Sequence, residues 1–119
     1  MAKFRFIEWL VDWILTQSVF TFEWDNGNET KSVQKHGITR DEAESVFEQP
    51  EAVRALGEQV SPRATEPRYG ILGVTTNGKK VFVCFTLRAS GIRIILIREM
   101  NRKEREEYAE LCEKQTRLH

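Results

Sequence analysis

The dipeptide Asn77-Gly78 separates two strand-like runs, and it constrains the possible folds of this chain of 119 residues more than any other feature. Residues 69–76 and 79–88 are rich in β-branched and aromatic side chains, and Asn-Gly is the strongest short signal for a β-hairpin turn. Ser90-Gly91 turns the chain again, into the apolar run 92–98. The pattern predicts a three-stranded antiparallel meander.

Alternating side chains and N-capping residues predict the other elements. Residues 19–24 place aromatic side chains on one face and Thr21 and Glu23 on the other, as in a half-buried strand. A further short strand is indicated at 52–56. Three helices are predicted to begin at Asp25, Thr39 and Asn101, and to run to about His36, to Pro50 and to about Lys114. The last two have a glutamate three residues after the cap, which predicts a capping box.

The N-terminal segment 4–17 has helical spacing but is apolar on nearly all sides. It is predicted to be buried on more than one side, either by packing across its own sheet or by contact with a second copy or a partner protein. Trp9 and Trp13, four residues apart, would be the anchors of such an interface. Glu8 and Asp12 interrupt the apolar stretch, so the segment is predicted to be neither a signal peptide nor a membrane span.

Together these elements predict one domain of the α+β class at residues 19–119, preceded by the helical extension 1–18. The domain would contain a small antiparallel sheet, formed by the meander and the N-terminal strand, with helices packed on it. Cys84 and Cys112 have no CxxC spacing, so we predict no disulfide framework, no metal site and no cofactor. The same cysteine usage indicates a reducing, cytoplasmic compartment.

Charge is distributed unevenly, although the chain is formally neutral with a pI of about 6.7. Residues 1–60 carry 6 basic and 11 acidic side chains, whereas residues 61–119 carry 12 and 7. The asymmetry fits a basic functional surface in the second half of the chain. It fits solvated helices equally well, so charge alone does not decide between them.

The two turns also predict which arginines share a face of the sheet. If each turn contains two residues, Arg88 faces Arg93 directly on one face, and Arg68 and Arg98 share the other. Two opposed arginines repel each other, and such a pair persists when carboxylates or an anionic ligand neutralise it. Both explanations stay open at this point.

Spaced motifs across most of the chain resemble one family. In chain order they are Phe22-Glu23-Trp24-Asp25, Lys35-His36-Gly37, Arg68, Thr86-Leu87-Arg88, Ile92-Arg93-Ile94-Ile95, Arg98 and the run Arg102 to Tyr108. Together they resemble the BrnT family of toxin ribonucleases, which have a RelE-like fold. The resemblance implies an endoribonuclease that blocks translation and is neutralised by a partner antitoxin encoded beside it.

The chemistry implied by this resemblance suggests residues for a metal-independent site. A guanidinium fork holds phosphate oxygens and does not deprotonate, which suits the charge that develops during RNA cleavage. The candidates are Arg68, Arg88 and Arg98 for catalysis, His36 and Tyr108 for proton transfer, and Arg93 and Arg102 for RNA binding. Each type has a structural alternative, namely an ion pair for an arginine, the end of a helix for the histidine and core packing for the tyrosine.

A second interpretation is a catalytically silent relative that binds a partner or self-associates through residues 4–15. It is suggested by five positions at which this chain departs from the residues usual in the family. At these positions the chain has Asn28, Ser32, Leu96, Ile97 and Glu99. Loss of small residues beside Arg98 would crowd a substrate groove, and Glu99 would repel phosphate. RNA binding without cleavage is a third interpretation.

Overall fold

The computed structural model describes residues 21–29, 36–59, 67–88 and 91–117. Its strands are β1 (Phe22–Glu23), β2 (Arg54–Gln59), β3 (Arg68–Val74), β4 (Lys80–Arg88) and β5 (Gly91–Glu99). Its helices are α1 (Asn26–Glu29), α2 (Arg40–Ser45) and α3 (Arg102–Arg117), with short 3-10 turns at Val46–Glu48 and Pro50–Ala52. The predicted helix at 4–17, with Trp9 and Trp13, lies outside the described residues.

Within the described residues, the sheet has five strands in the order β1-β5-β4-β3-β2. The pairs β2–β3, β3–β4 and β4–β5 are antiparallel, whereas β1 runs parallel to β5. The α+β class is therefore confirmed, but the prediction of a wholly antiparallel, four-stranded sheet is wrong. The fifth strand is β2, which overlaps the short strand indicated at 52–56. The parallel pair forms because the chain between β1 and β5 crosses over through helices and the rest of the sheet.

The loop between β3 and β4 contains three residues rather than the predicted two. Thr75 and Lys79 close it, since the Thr75 N–H donates to the Lys79 carbonyl over 2.9 Å and the Lys79 N–H donates to Thr75 Oγ1 over 2.9 Å. The Gly78 N–H donates to the Thr75 carbonyl, and Gly78 has φ +90. A turn followed by a left-handed glycine is a common three-residue hairpin loop. Thr76 therefore does not face Lys79.

The register between β4 and β5 also differs from the predicted one. Arg88 pairs with Gly91, Arg93 pairs with Thr86, and the register shifts between Cys84 and Phe85. The predicted pairing of Arg88 with Arg93 is therefore wrong. Gly91 has φ +134, and a side chain there would collide with the Thr21 carbonyl, to which the neighbouring N–H of β5 donates. This close contact fixes where β5 starts.

One face of the sheet, here called the α2 face, carries the larger core. Phe85 on β4 meets Phe47 edge to face, with ring centroids 5.5 Å apart, and both side chains are fully buried. Other members come from β3, β4 and β5, from α2 and from the 3-10 turn that follows it, among them Ile71, Val83, Ile94, Ala43 and Val46. Burial of such side chains stabilises the fold by about 1.5–3 kcal/mol each.

The opposite face, here called the α3 face, carries a smaller core. Leu72 and Phe82 on the sheet pack with Met100 and Tyr108 at the start and middle of α3. Since successive strand residues point to opposite faces, the residues that alternate with the α2-face core lie here. The α3 face therefore receives the charged and polar residues of the strands.

Local capping predicted the helix starts correctly. Asp25 Oδ1 accepts from the N–H groups of Gly27 and Asn28 at the start of α1. Thr39 and Glu42 form the reciprocal box of α2, with bonds of 3.1 and 3.0 Å. The corresponding bonds at the start of α3 join the backbone and side chains of Asn101 and Glu104 and measure 2.8 and 2.9 Å.

Glu42 connects α2 to the hairpin loop. Besides the cap, its Oε2 accepts from Asn77 Nδ2 and from Lys79 Nζ, both at 2.8 Å. The hydrogen bond from Lys79, with those from Thr39 and Asn77, lowers the pKa of Glu42 to about 2. One carboxylate therefore caps a helix and holds the loop that sets the register of β3 and β4.

We expect Glu42→Ala to lower the free energy of unfolding by about 1–2 kcal/mol, because it removes the cap and both bonds to the loop. The folded pKa lies below the ordinary value near 4.5, so this stabilisation is fully present above pH 5 or so and is lost as pH falls towards about 2. Urea unfolding at neutral pH and at about pH 3 measures both effects. The exposed Glu48→Ala is the control, and equal losses in both variants would contradict the prediction.

Candidate functional site

A row of polar and charged residues crosses four strands on the α3 face. Glu23 of β1 pairs with Arg93 of β5, and Arg93 pairs with Thr86 of β4. Tyr69 pairs with Phe85, so Arg68, which precedes Tyr69, lies at the level of Thr86. Paired residues point to the same face, and neighbouring strands lie about 4.8 Å apart. Glu23, Arg93, Thr86 and Arg68 therefore form one line, here called the cross-strand row.

Arg93 is held in this row by two carboxylates. Its Nη1 lies 2.8 Å from Asp25 Oδ2 and 3.5 Å from Glu23 Oε1, and its Nη2 donates to Asp25 Oδ1 over 3.1 Å. The hydrogen bond from Arg93, with the one from the Asn28 backbone, lowers the pKa of Asp25 to about 2. The side chain of Arg93 is only 15% exposed, so its guanidinium has little freedom to move.

Asn28 supports this end of the row from behind. Its side chain is 1% exposed and donates from Nδ2 to the carbonyls of Glu23 and Ile94, over 2.9 and 2.8 Å. Its Oδ1 accepts from the Asp25 N–H over 2.7 Å. A buried amide that is satisfied on all these sides ties β1 to β5 and positions α1. In the sequence, Asn28 is distinguished only as a departure from the family's usual residue.

Arg68 lies at the other end of the row and differs from Arg93 in its ion pairing. It is half-buried at the start of β3, and its side chain makes no ion pair with any residue in the described part of the chain. Beside it, the buried Thr86 donates from Oγ1 to the Pro67 carbonyl over 2.7 Å. This bond fixes the backbone from which Arg68 extends, while the described side chains provide no carboxylate partner for the guanidinium.

The structure does not bring Arg98 into the row. Arg98 pairs with Phe82, four residues along β4 from Thr86, which corresponds to about 13 Å. Its guanidinium stacks on the Phe82 ring, 4.7 Å from the centroid, and makes a double hydrogen bond to Glu104 at 2.7 and 2.9 Å. Burial acts to raise the pKa of Glu104, but the bonds from Arg98 and from the Asn101 backbone lower it overall.

Tyr108 is a core residue of the α3 face. It is 8% exposed, and its hydroxyl donates to the Ala52 carbonyl over 2.6 Å. Burial, with the neighbouring Cys112, raises its pKa to about 12. The phenol therefore joins α3 to the segment before β2, as the structural alternative for this residue predicted.

The other predicted site residues lie apart from the row. His36 lies directly before Gly37, which has φ +69, and the next residue, Ile38, is buried in the core of the α2 face. Arg102 is 89% exposed and pairs only weakly with Glu106, four residues along α3. Arg88 lies at the end of β4, where its backbone pairs with β5.

Glu23, like Thr86, is a residue of the row that sequence reasoning did not name as part of a site. Its alternation with Phe22 and Trp24 indicated that it points away from the aromatic core, and that signal was correct. Its partner could not be found in the same way, because β5 lies about 70 positions away in the chain. Only the parallel pairing of β1 with β5 brings Glu23 to Arg93.

The described residues contain neither a cluster of metal ligands nor a helix suited to crossing a membrane. Among them, no group of three or more histidine, cysteine, aspartate or glutamate side chains is arranged to hold a metal ion. In the same part of the chain, no helix combines the length and the apolar character that crossing a membrane requires.

Comparison with known proteins identifies a family. The model of the family described as "Ribonuclease toxin, BrnT, of type II toxin-antitoxin system" matches residues 24–104, more than half of the chain. The matched region includes Arg68, Thr86 and Arg93 of the row and begins at the residue after Glu23. A comparison with curated proteins finds no match.

We expect Tyr108→Phe to lower the free energy of unfolding by about 1 kcal/mol, because the Ala52 carbonyl loses its donor while the ring still fills the core. Denaturant unfolding measures the change. Unchanged stability in Tyr108→Phe would show that the hydroxyl has no structural role. Tyr108 would then again be a candidate for proton transfer.

Proposed function

We propose that this chain, which belongs to the BrnT family of ribonuclease toxins of type II toxin–antitoxin systems, cleaves RNA at the cross-strand row. Membership implies an RNA target and an antitoxin partner. The observation that carries the proposal is the contrast between two arginines in one row. Arg93 is locked by carboxylates, whereas Arg68 has no ion-pair partner in the described part of the chain.

The two arginines suit different parts of the same task. A phosphodiester gains negative charge as a nucleophile adds to phosphorus, and cations already in place stabilise that charge without reorganisation. Arg93 would supply a fixed guanidinium, and Arg68 would supply one whose charge the described residues leave uncompensated. Because a guanidinium stays charged at all relevant pH values, this arrangement works without a metal ion.

Glu23 is our candidate for the general base. Its carboxylate lies on the same face as Arg93, 3.5 Å from it, and its side chain is 30% exposed. In the proposed step Glu23 takes the proton of the ribose 2′-hydroxyl, whose oxygen attacks phosphorus, and the bond to the 5′-oxygen breaks. The proton passes through water to that leaving oxygen. The products are a 2′,3′-cyclic phosphate and a 5′-hydroxyl.

The remaining candidates take other roles in this proposal. Arg98 with Glu104 orients the start of α3, and Tyr108 and His36 are structural. Arg88 and Arg102 are proposed as additional RNA contacts outside the row. The antitoxin would cover the basic sheet surface, and the reaction would occur in the cytoplasm, where translated RNA is found.

We expect expression of the wild-type chain to arrest growth and to produce new RNA ends, and Arg68→Ala to lose both. Loss of one transition-state cation reduces a cleavage rate by about 10²- to 10³-fold. Arg40→Ala is the matched control, because Arg40 is exposed on α2, on the other side of the sheet. Healthy growth with intact RNA, despite abundant folded wild-type protein, would overturn the ribonuclease proposal.

Cleavage by purified protein should continue at an unchanged rate in an excess of a metal chelator, and it should leave 2′,3′-cyclic phosphate ends. Glu23→Gln should reduce the rate by about 10²- to 10⁴-fold, because the amide cannot accept the 2′-hydroxyl proton. End-labelled RNA analysed before and after acid opening of the cyclic phosphate measures both. Loss of cleavage with the chelator, or full activity in Glu23→Gln, contradicts this mechanism.

A further inference from the structure

A groove of about 460 Å³ opens at the end of the sheet opposite to the cross-strand row. It lies between the β3–β4 loop and the start of α3, and its described lining includes Lys79, Lys80, Glu99 and Arg105. Lys80 is six residues along β4 from Thr86, which corresponds to about 20 Å. The groove is therefore separate from the proposed cleavage site but lies on the same sheet.

The described lining of the groove carries more positive than negative charge. Lys80 is exposed and makes no ion pair with any residue the structure describes. Arg105 is exposed and uses Nη1 to donate to the Met100 carbonyl over 2.8 Å, and it makes no ion pair with any carboxylate of the described residues. Lys79 is neutralised by Glu42, and Glu99 opposes the remaining two cations.

The backbone around these side chains is fixed. The Met100 N–H donates to the Lys80 carbonyl over 2.9 Å, which joins the two sides of the groove. Glu42 holds the loop through Asn77 and Lys79, and the capping box of α3 begins at Asn101. The two uncompensated cations therefore extend from positions that need little ordering when a ligand binds.

We propose that this groove binds the phosphate backbone of single-stranded RNA, several nucleotides away from the bond that is cleaved. The inference rests on the proposed function, since it extends the same substrate along the sheet. The chemistry favours phosphate over a protein segment, because protein interfaces depend on buried aromatic or aliphatic anchors. The only large apolar side chain in the described lining, Met100, is 3% exposed and committed to the core.

The test compares two single-stranded 2′-O-methyl RNA probes, which cannot be cleaved by the proposed route. One probe is long enough to span the sheet, and the other covers only the cleavage site. We expect Lys80→Ala/Arg105→Ala to weaken binding of the long probe roughly tenfold and to reduce the slope of log affinity against log salt by about 0.7 per lost phosphate contact. Binding of the short probe should not change.

Two further variants sharpen this test. Glu99→Gln should strengthen binding of the long probe, because it removes from the groove a negative charge that repels phosphate. Lys103→Ala is the matched control, since Lys103 is an exposed residue of α3 outside the groove and should leave both probes unaffected. Thermal unfolding of every variant confirms that the fold is intact.

The outcomes separate this inference from the proposed function. Long-probe binding that is unchanged in the double variant, while the wild type still cleaves RNA, overturns the groove and leaves the cleavage site standing. Loss of antitoxin binding without any change in RNA affinity also overturns it and makes the groove a protein contact. If the wild type neither binds nor cleaves RNA, the groove and the proposed function fail together.

Discussion

The three-residue loop between β3 and β4 determines what the two faces of this sheet can do. Thr75 and Lys79 close the loop, and Gly78 takes the left-handed conformation that such a loop needs. A slip of one residue would exchange the faces, because side chains alternate along a strand. Phe85 would then lose its contact with Phe47, and each arginine of the shifted strand would point to the opposite face of the sheet. The core and the candidate site therefore depend on one loop.

Pairing with carboxylates divides the arginines of the α3 face into two kinds. Arg93 is held by Asp25 and Glu23, and Arg98 by Glu104, in each case at a point where strand and helix segments meet. These pairs stabilise local structure, since breaking one would leave a partly buried charge uncompensated. Arg68 has no such partner within the described residues. A ligand anion would gain more from the uncompensated guanidinium than from those already neutralised.

How well the sequence predicted each feature depended on how local that feature is. The capping boxes at Thr39 and Asn101 were predicted correctly because both partners lie within four residues. The hairpin at Asn77-Gly78 was found, but the dipeptide does not distinguish a two-residue from a three-residue loop. That difference depends on Thr75 Oγ1, and it changed every residue pair between β3 and β4.

Features that depend on distant parts of the chain were not predictable from local patterns. The pairing of β1 with β5 joins segments about 70 residues apart, and β2 adds to the opposite edge of the sheet. Glu23 was consequently missed as a site residue, although its face was inferred correctly. Arg98, one of the predicted catalytic residues, lies near the end of β5, shortly before the start of α3. The same position places it within reach of Glu104, which binds it.

Overall neutrality does not conflict with an RNA substrate once pairing is considered. Many of the cations on the described sheet are balanced within the structure, so the total charge says little about the few that are not. Within the described residues, the cations that make no ion pair include Arg68 at one level of the sheet and Lys80 and Arg105 at the groove, about 20 Å along the strands. A mononucleotide could satisfy only one of these levels. A single strand of RNA reaches both, so binding energy gained at the groove would help to position the bond that is cleaved at the row.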